Sequence, residues 1–483
     1  MAAQQVKTGW TLRLSPDMAA ELQEHLFPGD GDEHGCVIGA SVVRTNRGVR
    51  LLARRLYLAK DGVDYVAGQR GYRMLTPTFV RDCVRQCQKE GLAYLAVHCH
   101  GGSNRVSFSS DDLASHKRGY PALLDILGEG IVGGLVFAQD AVAGDIWLPG
   151  GGRVELDQAV LTGWPIRVLR DKPMPMPTTD LTYDRQSRLF GDRGQAILAG
   201  QKVAVIGAGG AGSLIVEYLA RLGVGHLVVI DPDRIDRTNL PRVVGSQVRD
   251  ARVWLTDPAR PRLVRALGER LATSKVRIAQ RVARQANPKI QMEALKADVT
   301  QDDVAMALVD CDYLFLAADS MQARLVFNAL VHQYLIPGVQ VGAKVQVGKD
   351  GNLTDIFSVV RAVSPGFGCL WCNELIKPAK LQEEALTVEQ RRQQRYVQDE
   401  NVQAPSVISL NAVAAAHAVD DYLLSAVGLL PATYEPRWRR FHPSASVATR
   451  RAFPELPKKD ADCSECSGTG RLGRGHEQRL PTK

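Results

Sequence analysis

The chain has 483 residues, too many for one ordinary hydrophobic core and enough for two to four units at roughly 150 residues each. Its 45% apolar and 23% charged residues are those of a globular protein and exclude extensive disorder. The net charge of +8 is spread over interspersed acids and bases, with only short basic runs such as Arg391, Arg392 and Arg395, which argues against a nucleic-acid-binding stripe and for a solvated helix face.

Residues 1–7 lack the basic-then-apolar order of a secretory signal. No apolar run approaches the roughly 18–20 residues of a membrane span, so the expectation is a cytoplasmic protein that engages neither membrane nor nucleic acid. In a reducing compartment nine cysteines mean metal ligands, catalysis or core packing rather than disulfides.

In chain order, helical patterns at 16–26 and 76–89 alternate with strand-like runs at 35–43, 94–98 and 133–137, giving a compact α/β domain over 1–165. Within it, Tyr94-Leu-Ala-Val-His-Cys-His100 reads as a buried strand ending in an HxH pair. Residues i and i+2 of a strand point the same way, so both imidazoles can grip one ion while Cys99 faces the core. A loop follows, and then Ser109-Ser-Asp-Asp-Leu113 opens a helix. His98, His100 and one aspartate supply three ligands and leave a fourth position open, as a catalytic zinc requires.

This first constellation resembles the JAB/MPN (JAMM) metalloprotease pattern, a glutamate followed by HxH and then Ser-x-x-Asp. The resemblance implies hydrolysis of peptide or isopeptide bonds beyond the C-terminal glycine of ubiquitin-like proteins. Ser109-x-x-Asp112 fits if the loop is one residue longer than usual, whereas Asp111 keeps the spacing but loses the serine; Asp112 is the choice. Glu33 matches the general base, and although Asp32 fits the spacing better by one residue, the longer glutamate has the reach. Ser109 would donate to the tetrahedral oxyanion. Gly101 stands where the family usually has proline. The competing reading is a metal-free relative whose histidines line a polar crevice.

The linker is 166–180, where Asp171-Lys-Pro-Met-Pro-Met-Pro-Thr-Thr-Asp180 forbids a helix and enforces an extended spacer. Beyond it lie the apolar run 202–206, the glycine turn Gly207-Ala-Gly-Gly-Ala-Gly-Ser213, a helix over 213–222 and a strand over 226–230, a βαβ opening. Further strands at 289–294, 313–317 and 338–347, with helices at 275–286 and 320–334 and an inserted helix over 249–271, predict a Rossmann-like, doubly wound and mostly parallel sheet over 181–466.

Gly207, Gly209, Gly210 and Gly212 let backbone N–H groups approach phosphate at a helix N-terminus. Alone, such a turn is most often an NAD or FAD site. Asp231 suits a ribose hydroxyl of either NAD or ATP, but Asp233, Asn239 and Arg242 on the loop beyond the sheet edge suit a triphosphate. Two CxxC pairs, Cys369/Cys372 and Cys463/Cys466, offer the four thiolates of a structural zinc.

Together these residues resemble the ThiF/MoeB family of ubiquitin-activating-type adenylyltransferases over 183–466. The resemblance implies ATP and Mg²⁺, and attack of a protein's C-terminal carboxylate on the α-phosphate to give an acyl-adenylate and pyrophosphate. It makes Arg185, in Tyr183-Asp-Arg-Gln-Ser-Arg-Leu-Phe-Gly191, an arginine that reaches the ATP of a partner subunit, hence a homodimer. It also makes Lys275 a phosphate-binding lysine and Asp319 the aspartate that works with Mg²⁺ and the incoming carboxylate. The segment 373–413, where many relatives carry a thioester-forming cysteine, contains none, so hand-over goes to a separate thiol or amine.

Residues 467–483, rich in glycine and arginine, are expected to be a mobile tail. The whole reads as a fusion that processes and then activates one tail, that of a ubiquitin-like or sulfur-carrier protein ending in Gly-Gly, with one catalytic and one structural Zn²⁺. The alternatives are adenylation for sulfur transfer in cofactor or metabolite biosynthesis, and a non-catalytic binding module.

Overall fold

In the computed structural model, which describes residues 9–66, 73–347, 353–386, 405–431, 433–443 and 456–483, the strand runs sort into two sheets, one in each of two compact units. The division falls between Pro175 and Met176, inside the proline-rich spacer. To the first unit also belong His332–Leu335 and Cys466–Arg479.

The first unit holds the strands β1 (Gly9–Leu14), β2 (Gly35–Thr45), β3 (Gly48–Leu58), β4 (Ala93–Cys99), β5 (Val132–Ala138), β6 (Ala141–Trp147), β7 (Arg153–Glu155), β8 (Gln158–Leu161) and β9 (Arg167–Leu169), in the order β7-β6-β5-β4-β2-β3-β1-β8-β9. Its helices are α1 (Pro16–Leu26), α2 (Pro77–Glu90) and α3 (Ser110–Leu127). Period-two alternation along β4 divides its side chains between two cores. Leu95, Val97 and Cys99 pack with Leu12, Leu22 and Leu26 on one face, and Tyr94 and Ala96 pack with Val84, Cys87 and Tyr120 on the other. His98 therefore emerges on the face that α3 covers.

The second unit holds β10 (Lys202–Ile206), β11 (His226–Ile230), β12 (Gln291–Leu295), β13 (Tyr313–Leu316), β14 (Gly338–Val347), β15 (Leu353–Val363) and β16 (Arg439–Phe441). The order is β12-β11-β10-β13-β14-β15-β16; the first five are parallel and the last two antiparallel. Its helices are α4 (Asp184–Gly200), α5 (Gly210–Leu222), α6 (Arg262–Leu271), α7 (Lys275–Ala286), α8 (Asp302–Met306), α9 (Met321–Gln333), α10 (Pro378–Ala385) and α11 (Ile408–Ala426). This is a mixed α/β, Rossmann-like arrangement. Every residue of β10 is buried, as expected of a strand between parallel neighbours covered on both faces. Among the described residues, no helix is long and apolar enough to cross a membrane.

Two expectations need correction. The insertion 249–271 is helical only over Arg262–Leu271, because Pro258 and Pro261 leave turns before it. The segment 467–483 is not a free tail: Ser467 and Leu480 are buried, and the Glu477 carboxylate accepts from Ser41 Oγ at 2.8 Å and pairs with Arg54. Gly475, at φ +53°, sits so close to β2 that a Cβ would lie 2.5 Å from Val43 Cγ2. The basic run at Arg391, Arg392 and Arg395 lies outside the described residues.

Glu477→Ala leaves the buried Arg54 and Ser41 short of an acceptor. It should lower stability by about 1–3 kcal/mol in urea unfolding. A free tail would give no change.

Candidate functional site

Parallel pairing aligns Ile206, Ile230 and Leu316 on one rung, so Gly207, Asp231 and Ala317 all leave the sheet at the same carboxyl edge. β10 lies between β11 and β13, and its helix and theirs part there; such a switch point opens a crevice. Gly207 takes φ +96°, and a Cβ on it would stand 2.9 Å from the Ala317 carbonyl. A Cβ on Gly212 would stand 1.8 Å from Gly207 O. At Gly209 a Cβ would meet nothing within 4 Å, so the turn is open on that side.

Asp231, 6% exposed, ties the turn down. Its Oδ2 accepts the Ala208 N–H at 2.7 Å and its Oδ1 the Asp233 N–H at 2.9 Å, with Lys275 Nζ 3.9 Å away. Burial pushes the Asp231 carboxyl above its usual range, against the pull of the Lys275 ammonium and the two amides. Lys275, at the start of α7, bonds Asp233 through Nζ at 2.7 Å and through its own N–H at 3.0 Å. Asn239, 5% exposed, gives Nδ2–H to Asp236 at 2.9 Å, while its Oδ1 is buried with no hydrogen-bond partner. Arg242 donates to the Thr238 carbonyl at 2.8 Å.

The structure thus gathers Gly207, Gly209, Gly210, Gly212, Asp231, Asp233 and Lys275, with Asn239 and Arg242 on the adjoining loop. Asp319 is exposed two residues beyond Ala317. Arg185 is exposed in the first turn of α4, and among the described residues it makes no contact with this group. One neighbour escaped the reading of the sequence: Asn411 of α11, whose Nδ2 lies 2.3 Å from the position of a Cβ on Gly210.

Cys369, Cys372, Cys463 and Cys466 bring their sulfurs within 4.8 Å of one another. The Cys369–Cys372 and Cys369–Cys463 separations are 3.5 and 3.8 Å. Tetrahedral zinc with Zn–S near 2.3 Å requires sulfurs about 3.8 Å apart, so the set fits. Backbone amides of Cys372 and Glu465 each donate to a sulfur at 3.4 Å.

In the first unit, His98 Nε2 and His100 Nε2 are 3.1 Å apart, and each lies 3.5 Å from an Asp112 carboxylate oxygen. Ligands at 2.0–2.1 Å on a tetrahedral ion stand about 3.3 Å apart, so these three fit one metal and leave a position open. Asp112, not the exposed Asp111, faces the histidines. Glu33 Oε1 is 3.9 Å from His100 Nε2, whereas the Asp32 N–H turns back to Asp30. Ser109 caps α3: its Oγ donates to Asp112 Oδ2 at 2.7 Å and accepts from Asp112 N–H at 3.1 Å. In this arrangement the hydroxyl orients Asp112. Burial raises the Asp112 carboxyl, but bonds from His98 and Ser109 outweigh it and hold it well below the usual carboxylate range.

Behind this cluster lies a network invisible in the motif. Buried His116, one turn beyond Asp112, bonds Asp145 at 2.8 Å and stacks on Tyr120 at 4.3 Å. Asp145 also takes Trp147 Nε1–H and Arg153. Gly134 of β5 makes room, since a Cβ there would lie 2.4 Å from the His116 ring.

The class that this fold and crevice define matches a known family. Residues 183–465 match the ThiF family, and the chain belongs to it. It is 32% identical over 150 residues to the SAMP-activating enzyme E1 of Haloferax volcanii, covering 30% of this chain and 48% of that protein. It is 27% identical over 190 residues to the sulfur carrier protein ThiS adenylyltransferase of Bacillus subtilis, covering 39% and 49%, and 28% identical over 157 residues to the tRNA threonylcarbamoyladenosine dehydratase of Escherichia coli, covering 32% and 51%. The chain spans about half the length of these relatives. Among solved structures, E. coli MccB with succinimide aligns at 17% identity and TM-score 0.44, covering 60% of this chain and 75% of that one.

Metal analysis should find about two zinc ions per chain if both sets load as the ligand geometry allows. His98→Gln should remove one and Cys463→Ser the other; unaltered zinc content in either variant would discard that set as a site.

Proposed function

We propose that the second unit uses ATP to adenylate the C-terminal carboxylate of a ubiquitin-like or sulfur-carrier protein ending in Gly-Gly. The observation that carries the reading is the crevice at the carboxyl edge of β10, β11 and β13, where an open glycine turn meets Lys275, Arg242 and Asn239 in a member of the ThiF family. Relatives named as sulfur-carrier adenylyltransferases support the substrate class.

In this mechanism the amides of the turn and the cations of Lys275 and Arg242 receive the triphosphate, and Asp231 keeps the turn in shape. A carboxylate oxygen attacks the α-phosphorus, the bond from that phosphorus to the bridging oxygen breaks, and pyrophosphate leaves with the electron pair. Mg²⁺, held through Asp319, would supply positive charge to the leaving phosphates. Lys275 is paired with Asp233 and swings to phosphate when it arrives. Arg185, exposed on α4, is the group we assign to a second copy's nucleotide, which makes the working form a homodimer. With no cysteine in 373–413, the acyl group passes to a separate thiol or amine.

The first unit supports a second activity on the same tail, JAMM-type hydrolysis of a peptide or isopeptide bond beyond the terminal glycine. His98, His100 and Asp112 would hold zinc, which supplies polarisation of water and carbonyl. Glu33 takes a proton from the attacking water and returns it to the leaving nitrogen.

Purified protein, ATP and a Gly-Gly-ended carrier should exchange labelled pyrophosphate into ATP. Asp319→Ala should reduce the exchange by about a hundredfold or more. Exchange that needs no carrier would overturn the substrate class and favour adenylation of a small metabolite.

For the first unit, a carrier extended past Gly-Gly should be trimmed, and either a chelator or Glu33→Gln should stop trimming with the fold intact. Trimming that survives both treatments removes the peptidase reading.

A further inference from the structure

We infer that Asn411 is a phosphate-binding residue of the nucleotide crevice, which lets the site distinguish a triphosphate from a bare nucleoside; the inference rests on the adenylation reading. Asn411 sits in the first turn of α11, 5% exposed, and its side chain crosses to the first residue of α5. Nδ2 lies 2.3 Å from where a Cβ on Gly210 would be, and the Arg242 Cδ lies 3.5 Å from that same point. At Gly210 it is the Asn411 amide that occupies the space of a Cβ, with Arg242 Cδ in ordinary contact, whereas at Gly207 and Gly212 backbone approaches.

The placement is electrostatically incomplete. The first turn of α5 presents unbonded N–H groups and the positive end of the helix dipole. Beside it stand an amide –NH2, which is a donor, and the stem of an arginine. The helix end and the Asn411 amide donor face one region, the Arg242 guanidinium is turned to the Thr238 carbonyl beside it, and the adjoining side, at Gly209, is open. Of the two hydrogens on Nδ2, one goes to the exposed Ser406 Oγ at 3.1 Å, and the second is left for an acceptor. An anion lying on the Gly209 side would satisfy the helix amides, Arg242 and Asn411 together. Neutral parts of a nucleotide need none of them.

The test compares ATP with adenosine, both titrated into the full chain by calorimetry. Asn411→Ala should weaken ATP about tenfold, the worth of one hydrogen bond to a charged group, and leave adenosine within about twofold. Asn411→Asp should weaken ATP further, since a carboxylate now faces phosphate, with adenosine again unchanged. A carboxylate is welcome at an empty helix N-terminus, so this variant keeps the fold.

A second pair separates packing from recognition. Gly210→Ala should weaken both ligands through its clash with the Asn411 amide, and Gly210→Ala combined with Asn411→Gly should recover adenosine but not ATP. Equal losses for the two ligands, or ATP affinity unchanged in Asn411→Asp, would overturn the assignment while leaving adenylation in place. A wild-type chain that binds no ATP ends both.

Discussion

A carboxylate buried at the end of β11 holds the crevice of the second unit in shape. Asp231 spends one oxygen on the Ala208 amide within the glycine turn and the other on the Asp233 amide of the following loop, so two segments that share no strand are fixed to a single side chain. Desolvation works against its charge, and the nearby Lys275 ammonium with two N–H donors works for it. Loss of the carboxylate would leave two inward amides unpaired, at about 1–3 kcal/mol each. Asp231 was read from the sequence as a ribose partner. Its bonds make it first a brace, because it takes up the Ala208 amide and so fixes the turn whose later amides open on the crevice.

The turn tolerates nothing larger than glycine at two positions for a geometric reason. With Gly207 against the Ala317 carbonyl and Gly212 against the Gly207 carbonyl, α5 starts within contact of the ends of both β10 and β13. Close approach puts the helix's positive end directly above the sheet edge, where Asp319 and Lys275 stand on the flanking connections. Helix propensity at 210–212 is poor, at about 1 kcal/mol per glycine, and tertiary contact overrides it. That is why α5 begins at Gly210 although glycine fills two of its first three positions.

The two metal-ligand sets differ as closed and open sites should. Four cysteines would complete a tetrahedral shell around a zinc, and three of the four are buried, which would leave no coordination position for substrate. The His98–His100–Asp112 set supplies three ligands, all partly exposed, with Glu33 alongside. Its rigidity comes from behind: Ser109 pins Asp112, and one turn later His116, wedged between Asp145 and Tyr120, seats α3 on the sheet. Such outer partners set the direction of a ligand as firmly as the ligand's own backbone does.

Strands 202–206, 226–230 and 338–347 and the helix 275–286 were legible to the residue: the first two are short apolar runs between parallel neighbours, 338–347 alternates with period two, and 275–286 follows helical spacing. The HxH pair was legible because a strand's period is two. What escaped depended on partners distant in sequence. β16, three residues long, exists only by pairing with β15 some eighty positions earlier. The C-terminal segment looks mobile by composition, yet β2 and β3 lie against Gly473 and Gly475, and its one acid, Glu477, finds Ser41 and Arg54. Asn411 lies in a segment, 373–413, whose motif asks only for a cysteine. Its signal is a polar residue on the otherwise apolar face of α11, among Leu410, Ala414, Ala415 and Ala418. A buried carboxamide there needs hydrogen-bond partners, and Ser406 answers only one of its donors. The same question asked of Asn239, whose Oδ1 is buried and unpartnered, leads back to the same crevice. A buried polar atom with no partner among the described residues, beside a helix's positive end, is where the proposed nucleotide supplies one.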